Sequence, residues 1–131
     1  MVNPRARYEA DLILLQKALS TLQKALAAPK DDMSRDAVIQ RFEYVFELGW
    51  KTLQAACALQ GVETRSPKEA IRRAYEQGWM EDTDPWFRAL EARNLTSHTY
   101  DEALAESVYQ AARKIPDLVD HTLRKLAQNQ P

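Results

Sequence analysis

The sequence predicts an all-α protein, folded as an antiparallel up-and-down bundle of four to five helices. Three observations predict this fold class. Glycine, on which tight β-turns depend, occurs 3 times in 131 residues, while hydrophobic residues make up 45% and charged residues 28% of the chain. Apolar residues recur at spacings of three and four, the period of an amphipathic helix. Proline follows a capping residue at two places, as at helix starts. The length is that of one domain, and we expect residues 1–131 to form one.

The first two helices are predicted to be long neighbours. The first carries a heptad-like apolar stripe and ends before Pro29. Its stripe consists of Tyr8, Leu12, Leu15, Leu19, Leu22 and Leu26. The second begins near Ser34 and ends at Gly61, a residue type that favours the C-terminal cap. Gly49 lies inside this helix, where glycine costs about 1 kcal/mol relative to alanine. A close helix crossing at Gly49 would explain why it is tolerated there.

Two short helices and a long final one are predicted to follow. Ser66, Pro67 and Glu69 form a capping box with proline at the first helical position. Asp84 followed by Pro85 repeats the signal and opens a fourth helix. The final helix begins near Asp101, and Pro116 should bend it or break it into two. Four residues of the third helix are predicted to face the core, namely Ala70, Ile71, Ala74 and Tyr75.

The net charge, the number of cysteines and the lengths of the apolar runs exclude several classes of protein. The net charge of -1 disfavours a strongly basic nucleic-acid binder, although not a local basic patch. One cysteine excludes an intramolecular disulfide and a multi-cysteine metal site. The longest apolar runs, Leu12–Leu15 and Ala55–Leu59, are far shorter than the ~20 residues that cross a bilayer, and the chain does not open with a signal-peptide pattern. We expect a cytoplasmic protein with no membrane partner.

One stretch, Arg93–Tyr100, concentrates chemically active side chains. Arg93 can hold a phosphate and stabilise charge that develops on it. His98 carries an imidazole, which can take or give a proton near neutral pH. Asn94 or Ser97 can orient the imidazole or contact the scissile group. No acidic triad supports a metal here, and we expect no cofactor. This is the chemistry of metal-free RNA cleavage, in which the 2′-hydroxyl attacks its own phosphate.

Helical geometry limits how this stretch can work. Arg93 and His98 are five residues apart, or about 140° around an unbroken helix. Either the helix ends between them, or a second copy of the chain completes the site. In the alternative without catalysis, Arg93 pairs with a carboxylate, Asn94 and His98 satisfy backbone groups at the helix end, and Tyr100 packs its ring.

Other polar and aromatic residues have two interpretations each. Four cations lie within nine residues and could contact phosphates or form a solvated helix face: Arg65, Lys68, Arg72 and Arg73. Arg88 could extend the positive field or pair with Glu91 or Glu102. The three tryptophans are predicted to be mainly core residues, with Trp79 and Met80 the best candidates for a protein interface.

Two further predictions concern charged and titratable groups. Glu47 is predicted to pair with Lys51 on the surface, four residues further along the second helix. His121, between Asp120 and Arg124, is predicted to be exposed and inert.

Three separate sequence segments carry a resemblance to a known family. They are Phe42-Glu43 through Trp50-Lys51, Ser66-Pro67-Lys68-Glu69 with Ile71-Arg72, and Glu91 through Asp101. Arg93–Tyr100 reads R-x-x-x-x-H-x-Y, which resembles the signature of the higher-eukaryote-and-prokaryote nucleotide-binding (HEPN) superfamily, in the form found in toxins encoded beside a minimal nucleotidyltransferase (MNT) antitoxin. Over most of its length the chain also resembles small helical nucleotidyltransferase substrate-binding proteins.

The resemblance implies a HEPN-like helical homodimer in which the motifs of two protomers meet in a cleft. Arg93 and His98 would then serve a metal-independent endoribonuclease, assisted by Asn94, with RNA as the substrate. The MNT-type nucleotidyltransferase would bind the dimer and transfer AMP to Tyr100. Apart from the resemblance, possible substrate contacts are Ser97, Arg88, Arg72 and Arg73. The alternative is a non-catalytic substrate-binding subunit that binds nucleotide and docks the nucleotidyltransferase.

Overall fold

Residues 3–131 are described by a computed structural model, and they form six α-helices and one 3-10 helix, without a strand. The helices are α1 (Pro4–Ala27), α2 (Asp32–Leu59), α3 (Pro67–Glu76), α4 (Asp84–Asn94), α5 (Glu102–Ala112) and α6 (Ile115–Gln128), with the 3-10 helix at Thr96–His98. Met1 and Val2, the start of the predicted domain, lie outside the described residues. The all-α prediction is confirmed. None of the helices in residues 3–131 combines the length and the apolarity needed to cross a bilayer.

The long helices α1 and α2 form a hairpin that provides much of the core. The predicted stripe of α1 faces α2, with Tyr8, Leu15, Leu19 and Leu22 buried. The helix α2 begins two residues before the predicted start. Asp31 is its N-cap, and its carboxylate accepts from the Ser34 backbone N–H at 2.7 Å. The Ser34 hydroxyl in turn accepts from the Asp31 N–H at 2.8 Å, so Ser34 completes a capping box rather than opening the helix.

Gly49 permits α4 to cross α2 closely, as the sequence predicted. A Cβ atom at Gly49 would lie 3.0 Å from Cη2 and 3.2 Å from Cζ3 of Trp86. The Trp86 ring is fully buried, and its indole N–H donates to the Thr122 hydroxyl of α6 at 3.1 Å. Because any side chain at position 49 would displace this ring, the glycine fixes where α4 lies on α2.

The start of α3 follows the predicted cap with one difference. The Ser66 hydroxyl accepts from the Glu69 N–H at 3.2 Å, while the Glu69 carboxylate accepts from the Arg65 N–H at 2.7 Å, one residue before the cap. The prediction that Tyr75 faces the core is wrong, since its side chain is 49% exposed. The other three predicted core residues of α3 are buried.

Trp79 and Met80 are not surface residues, and the prediction that they form a protein interface is wrong for this chain. Both are buried in the core. The indole N–H of Trp79 donates to the Asn129 carbonyl at 2.7 Å, which ties the loop after α3 to the end of α6. The buried Trp79 thus holds the loop after α3 against the end of α6.

The last predicted helix is broken at the proline. The helix α5 ends at Ala112, and Pro116 is the second residue of α6, where its missing N–H has no intrahelical partner to lose. Counted as one broken rod, α5 and α6 give the bundle the five helices expected. At the start of α4, Thr83 is the N-cap and Asp84 the first helical residue, so Asp84 does not cap the helix as predicted.

Candidate functional site

The Arg93–Tyr100 stretch runs from the last turn of α4 through the 3-10 helix to the turn before α5. The helix α4 ends at Asn94, between Arg93 and His98, which is one of the two expected geometries. The His98 N–H donates to the Leu95 carbonyl at 2.9 Å, and the Asp101 N–H donates to the His98 carbonyl at 3.1 Å. The turn therefore carries the imidazole away from the helical path that Arg93 follows.

Arg93 is held by α2 in a fixed position. Its Nη1 donates to the Glu47 carboxylate, and its guanidinium carbon lies 5.3 Å from the centroid of the Phe46 ring. The second Glu47 oxygen accepts from the Trp50 indole N–H at 3.0 Å. Two donors thus anchor the carboxylate that orients Arg93. Within residues 3–131, Glu47 pairs with Arg93 and not with Lys51, so the predicted surface pair is wrong.

This anchoring leaves part of the guanidinium for a ligand. The Arg93 side chain is 28% exposed, so a ligand can reach it. Within residues 3–131 its hydrogen bond runs through Nη1, while Nε is buried without a partner. An arginine held by a carboxylate on one side and an aromatic face on the other loses little side-chain entropy when it binds an anion. The pair with Glu47 is the carboxylate pair that the alternative without catalysis predicts, and the exposed part of the guanidinium keeps N–H groups without an acceptor in residues 3–131.

His98 and Tyr100 form an exposed pair on the turn. The Tyr100 hydroxyl lies 3.4 Å from His98 Nδ1, and the two rings meet edge to face with centroids 6.0 Å apart. Tyr100 is 84% exposed, so the alternative in which it packs its ring is wrong. The contact involves Nδ1, and Nε2 of the exposed imidazole has no hydrogen-bond partner within residues 3–131. Any group attached to the Tyr100 oxygen would stand beside this imidazole.

The other polar residues of the stretch differ, because Thr96 and Thr99 are hydrogen-bonded to the backbone while Asn94 and Ser97 are open. Asn94 and Ser97 are exposed. The carbonyl of Arg93 at the end of α4 accepts from the Thr96 hydroxyl at 2.7 Å, so in the described chain it is Thr96 that satisfies this helix-end group. Asn94 is consequently available to contact a ligand from the end of α4.

The remaining predicted contact residues lie on α3 and α4. Arg72 stacks on Phe87 of α4 at 5.7 Å from the ring centroid, while Arg73 pairs with Glu76 at 2.9 Å. Arg88 lines a cleft of about 430 Å³ between α4, α5 and α6, which Lys114 also lines.

Among the ion pairs of residues 3–131, Arg88 pairs with neither Glu91 nor Glu102, and Glu102 has a different partner. Glu102 binds Arg35 of α2 at 2.9 Å. Arg35 is buried and also lies 3.7 Å from Glu106, so it fastens the start of α5 to α2. Hydrogen bonding to Lys30 at 2.7 Å lowers the pKa of the Glu106 carboxyl in the same cluster. The sequence analysis does not single out Arg35 and assigns Glu47 the wrong partner, since the observed partners are distant in sequence.

The family model for "Nucleotidyltransferase substrate binding protein like" proteins matches residues 10–128. The chain belongs to this family. The match spans every helix described above except the first turns of α1, and it confirms the resemblance drawn from the three sequence segments.

This member of the nucleotidyltransferase substrate-binding family is also similar to two individual proteins. The "Probable ribonuclease HepT" of Haemophilus influenzae is 34% identical over 76 residues, covering 54% of this chain and 52% of that protein. The match thus spans about half the length of the curated relative. A crystal structure of a Thermus thermophilus protein is 38% identical and superposes with a TM-score of 0.75, covering 89% of this chain and 99% of that one. The helical bundle is therefore shared with a protein of known structure.

Proposed function

We propose that the chain is a HEPN toxin, a metal-independent endoribonuclease neutralised by an MNT-type nucleotidyltransferase. The observation that carries the proposal is an anchored Arg93 and an open His98, at the same end of α4, each with nitrogens that the described chain leaves unused. The name of the Haemophilus influenzae relative, a probable ribonuclease, supports it.

The proposed reaction needs only these side chains and the RNA. His98 Nε2 takes the proton of a 2′-hydroxyl, and the 2′-oxygen then bonds to the adjacent phosphorus. The P–O5′ bond breaks, and a protonated imidazole supplies the proton that the 5′-oxygen takes up. Arg93 stabilises the charge on the phosphate oxygens, and the Asn94 amide donates to one of them. The products are a 2′,3′-cyclic phosphate and a 5′-hydroxyl.

We place this reaction in a composite site of a homodimer, in which each of two pockets holds one Arg93 and one His98. Within residues 3–131 no hydrogen bond joins Arg93 to His98, and the imidazole faces outward on its turn. A twofold axis beside the turn would bring His98 of the partner subunit toward Arg93. In each pocket the imidazole that has taken the 2′-hydroxyl proton then gives a proton to the 5′-oxygen.

The test of the proposed function is RNA cleavage by the purified chain in the presence of EDTA. We expect a labelled RNA to be cut and the upstream product to end in a 2′,3′-cyclic phosphate, because no step requires a metal. Product ends are identified by their resistance to phosphatase before acid treatment. A chain that is helical by circular dichroism yet cuts no RNA overturns catalysis.

We further propose that Tyr100 is the site of inhibitory adenylylation. Its hydroxyl is exposed and stands 3.4 Å from the His98 imidazole, so an attached AMP would add bulk and negative charge where the RNA phosphate binds. Incubation with the partner nucleotidyltransferase and ATP is expected to add AMP to the wild-type chain and not to Tyr100→Phe, as measured by intact mass. Tyr44→Phe, at a half-exposed tyrosine of α2, is the control and is expected to be modified like the wild type. Equal labelling of Tyr100→Phe would contradict the assignment.

A second candidate function is a non-catalytic subunit that binds nucleotide and docks the nucleotidyltransferase. The cleft lined by Arg88 and Lys114 favours it, since this cleft joins two cations to an apolar wall that includes Ile115 and Leu118. Binding of AMP by a chain that cuts no RNA would support this alternative over the first.

A further inference from the structure

The outer surface of α3 and α4 carries a strip of cations and aromatic rings. Lys68, Arg72 and Tyr75 succeed one another at spacings of four and three on α3, so they lie on one helical face. All three are exposed. The Arg72 guanidinium lies over Phe87 of α4, 5.7 Å from the ring centroid, which joins the two helices into one surface. We call Lys68, Arg72, Tyr75 and Phe87 the α3–α4 strip.

The cations of the strip differ from their neighbours in having no carboxylate partner. Arg73 is neutralised by Glu76 at 2.9 Å, and Arg65 lies 3.4 Å from Glu63. Among the ion pairs of the described residues, neither Lys68 nor Arg72 has an acidic partner within 4.0 Å. Unpaired cations keep their full charge for an external phosphate. The sequence shows four similar cations here, and the structure separates the two open ones from the two that are paired.

The strip leads to the candidate active site along one face of α4. Phe87 and Asn94 are seven residues apart, so they share a face of α4 and stand about 10 Å apart along its axis. Asn94 ends the helix immediately before the turn that carries His98. A nucleic-acid strand that occupies the Arg93–His98 region in an extended form can therefore continue past Asn94 onto Phe87 and Arg72 within a few nucleotides.

We propose that the α3–α4 strip binds the single-stranded RNA on one side of the scissile phosphate. The inference rests on the proposed ribonuclease function and adds the form of its substrate. Lys68 and Arg72 hold backbone phosphates, and the exposed Tyr75 ring offers a face for a base. Stacking on such a ring requires an unpaired base, so the strip selects single strands over duplexes.

One acidic side chain lies on the same path, and its removal is expected to change RNA affinity in the opposite direction. Glu91 is exposed and lies between Phe87 and Asn94 on their shared face of α4. Its charge repels a passing phosphate backbone. Removing a positive charge from the strip should weaken RNA binding, while removing this negative charge should strengthen it.

The experiment compares charge variants in a His98→Ala background, which prevents cleavage. Fluorescence anisotropy is measured with a labelled single-stranded RNA of about twelve nucleotides, within the range of sites known for single strands. We expect Arg72→Gln to weaken binding about five- to tenfold and to reduce the slope of log affinity against log salt by about one. The matched control is Arg73→Gln, one residue away on the same helix, which should change affinity less than about twofold because Arg73 is already paired. Glu91→Gln should tighten binding.

The outcomes separate this inference from the proposed function. If Arg72→Gln and Arg73→Gln weaken RNA binding equally, the α3–α4 strip is not the binding site for single strands. The same conclusion follows if Arg72→Gln weakens binding of a duplex of the same sequence by the same factor. Either result contradicts this inference even if the wild-type chain cuts RNA. If the wild type cuts RNA and Arg72→Gln lowers kcat/KM on long single strands but not on a dinucleotide, the strip is supported. A chain that neither binds nor cuts RNA overturns both proposals. Thermal melting of each variant shows that its fold is retained.

Discussion

Replacing His98 with alanine is expected to lower the rate of RNA cleavage by about 100- to 10,000-fold, the usual contribution of a general acid or base. The imidazole is exposed, and its side-chain contact in the described residues is with Tyr100. Because it supports no buried structure, the substitution should change the free energy of unfolding by no more than about 0.5 kcal/mol. The measurement is the single-turnover cleavage rate of a labelled RNA, together with a thermal melt.

The chain provides a matched control for this experiment in its other histidine. His121 lies on α6, where it is half-buried rather than exposed as predicted, 3.5 Å from Glu81. Lys125, and to a smaller extent His121, lower the pKa of the Glu81 carboxyl, so His121 belongs to a surface charge cluster. We expect His121→Ala to cut RNA at the wild-type rate. Equal loss in both variants, or an unchanged rate in His98→Ala, would contradict the role of His98.

Mixing two inactive variants is expected to restore cleavage if the site is shared between protomers. Arg93→Ala and His98→Ala each inactivate every site of their own homodimer. In a mixed dimer, one pocket receives Arg93 from the His98→Ala protomer and His98 from the other protomer, so that pocket is intact. Random exchange of equal amounts makes half of the dimers mixed, and about a quarter of the wild-type rate should return.

The alternative geometry gives a different result in the same experiment. If each pocket took Arg93 and His98 from one protomer, every pocket of a mixed dimer would carry one substitution and no activity would return. Exchange is monitored by native mass spectrometry of protomers with different tags. Confirmed mixed dimers without activity would contradict the composite site, and a chain that stays monomeric would contradict the dimer itself.

Both experiments depend on how the bundle holds Arg93. Trp86 and Arg93 are seven residues apart on α4 and so share the face that packs on α2. The Trp86 ring lies on Gly49 and is locked by its hydrogen bond to Thr122, while Arg93 reaches Glu47 of α2. The close crossing at Gly49 therefore sets the position along α2 at which the Arg93 guanidinium meets the Glu47 carboxylate.

Local signals in the sequence predicted the structure correctly where the physics is local. The cap at Ser66, the break at Pro116 and the apolar stripe of α1 depend on residues within a few positions of one another. The Arg93–Tyr100 stretch is recognisable as a candidate site in the same way, because its reactive side chains are concentrated in consecutive residues. Tyr75 and Trp79 were misjudged because their exposure depends on which distant helices cover them.

The sequence by itself determined the helices, their approximate ends and the Arg93–Tyr100 motif, since capping, periodicity and residue chemistry act over short distances along the chain. Tertiary structure alone decided the partners. Glu47 anchors Arg93 across 46 positions, and the Arg72 guanidinium of α3 lies over the Phe87 ring of α4. These choices follow from the angle at which α4 crosses α2 and α3 meets α4, and no spacing within a single helix specifies that angle.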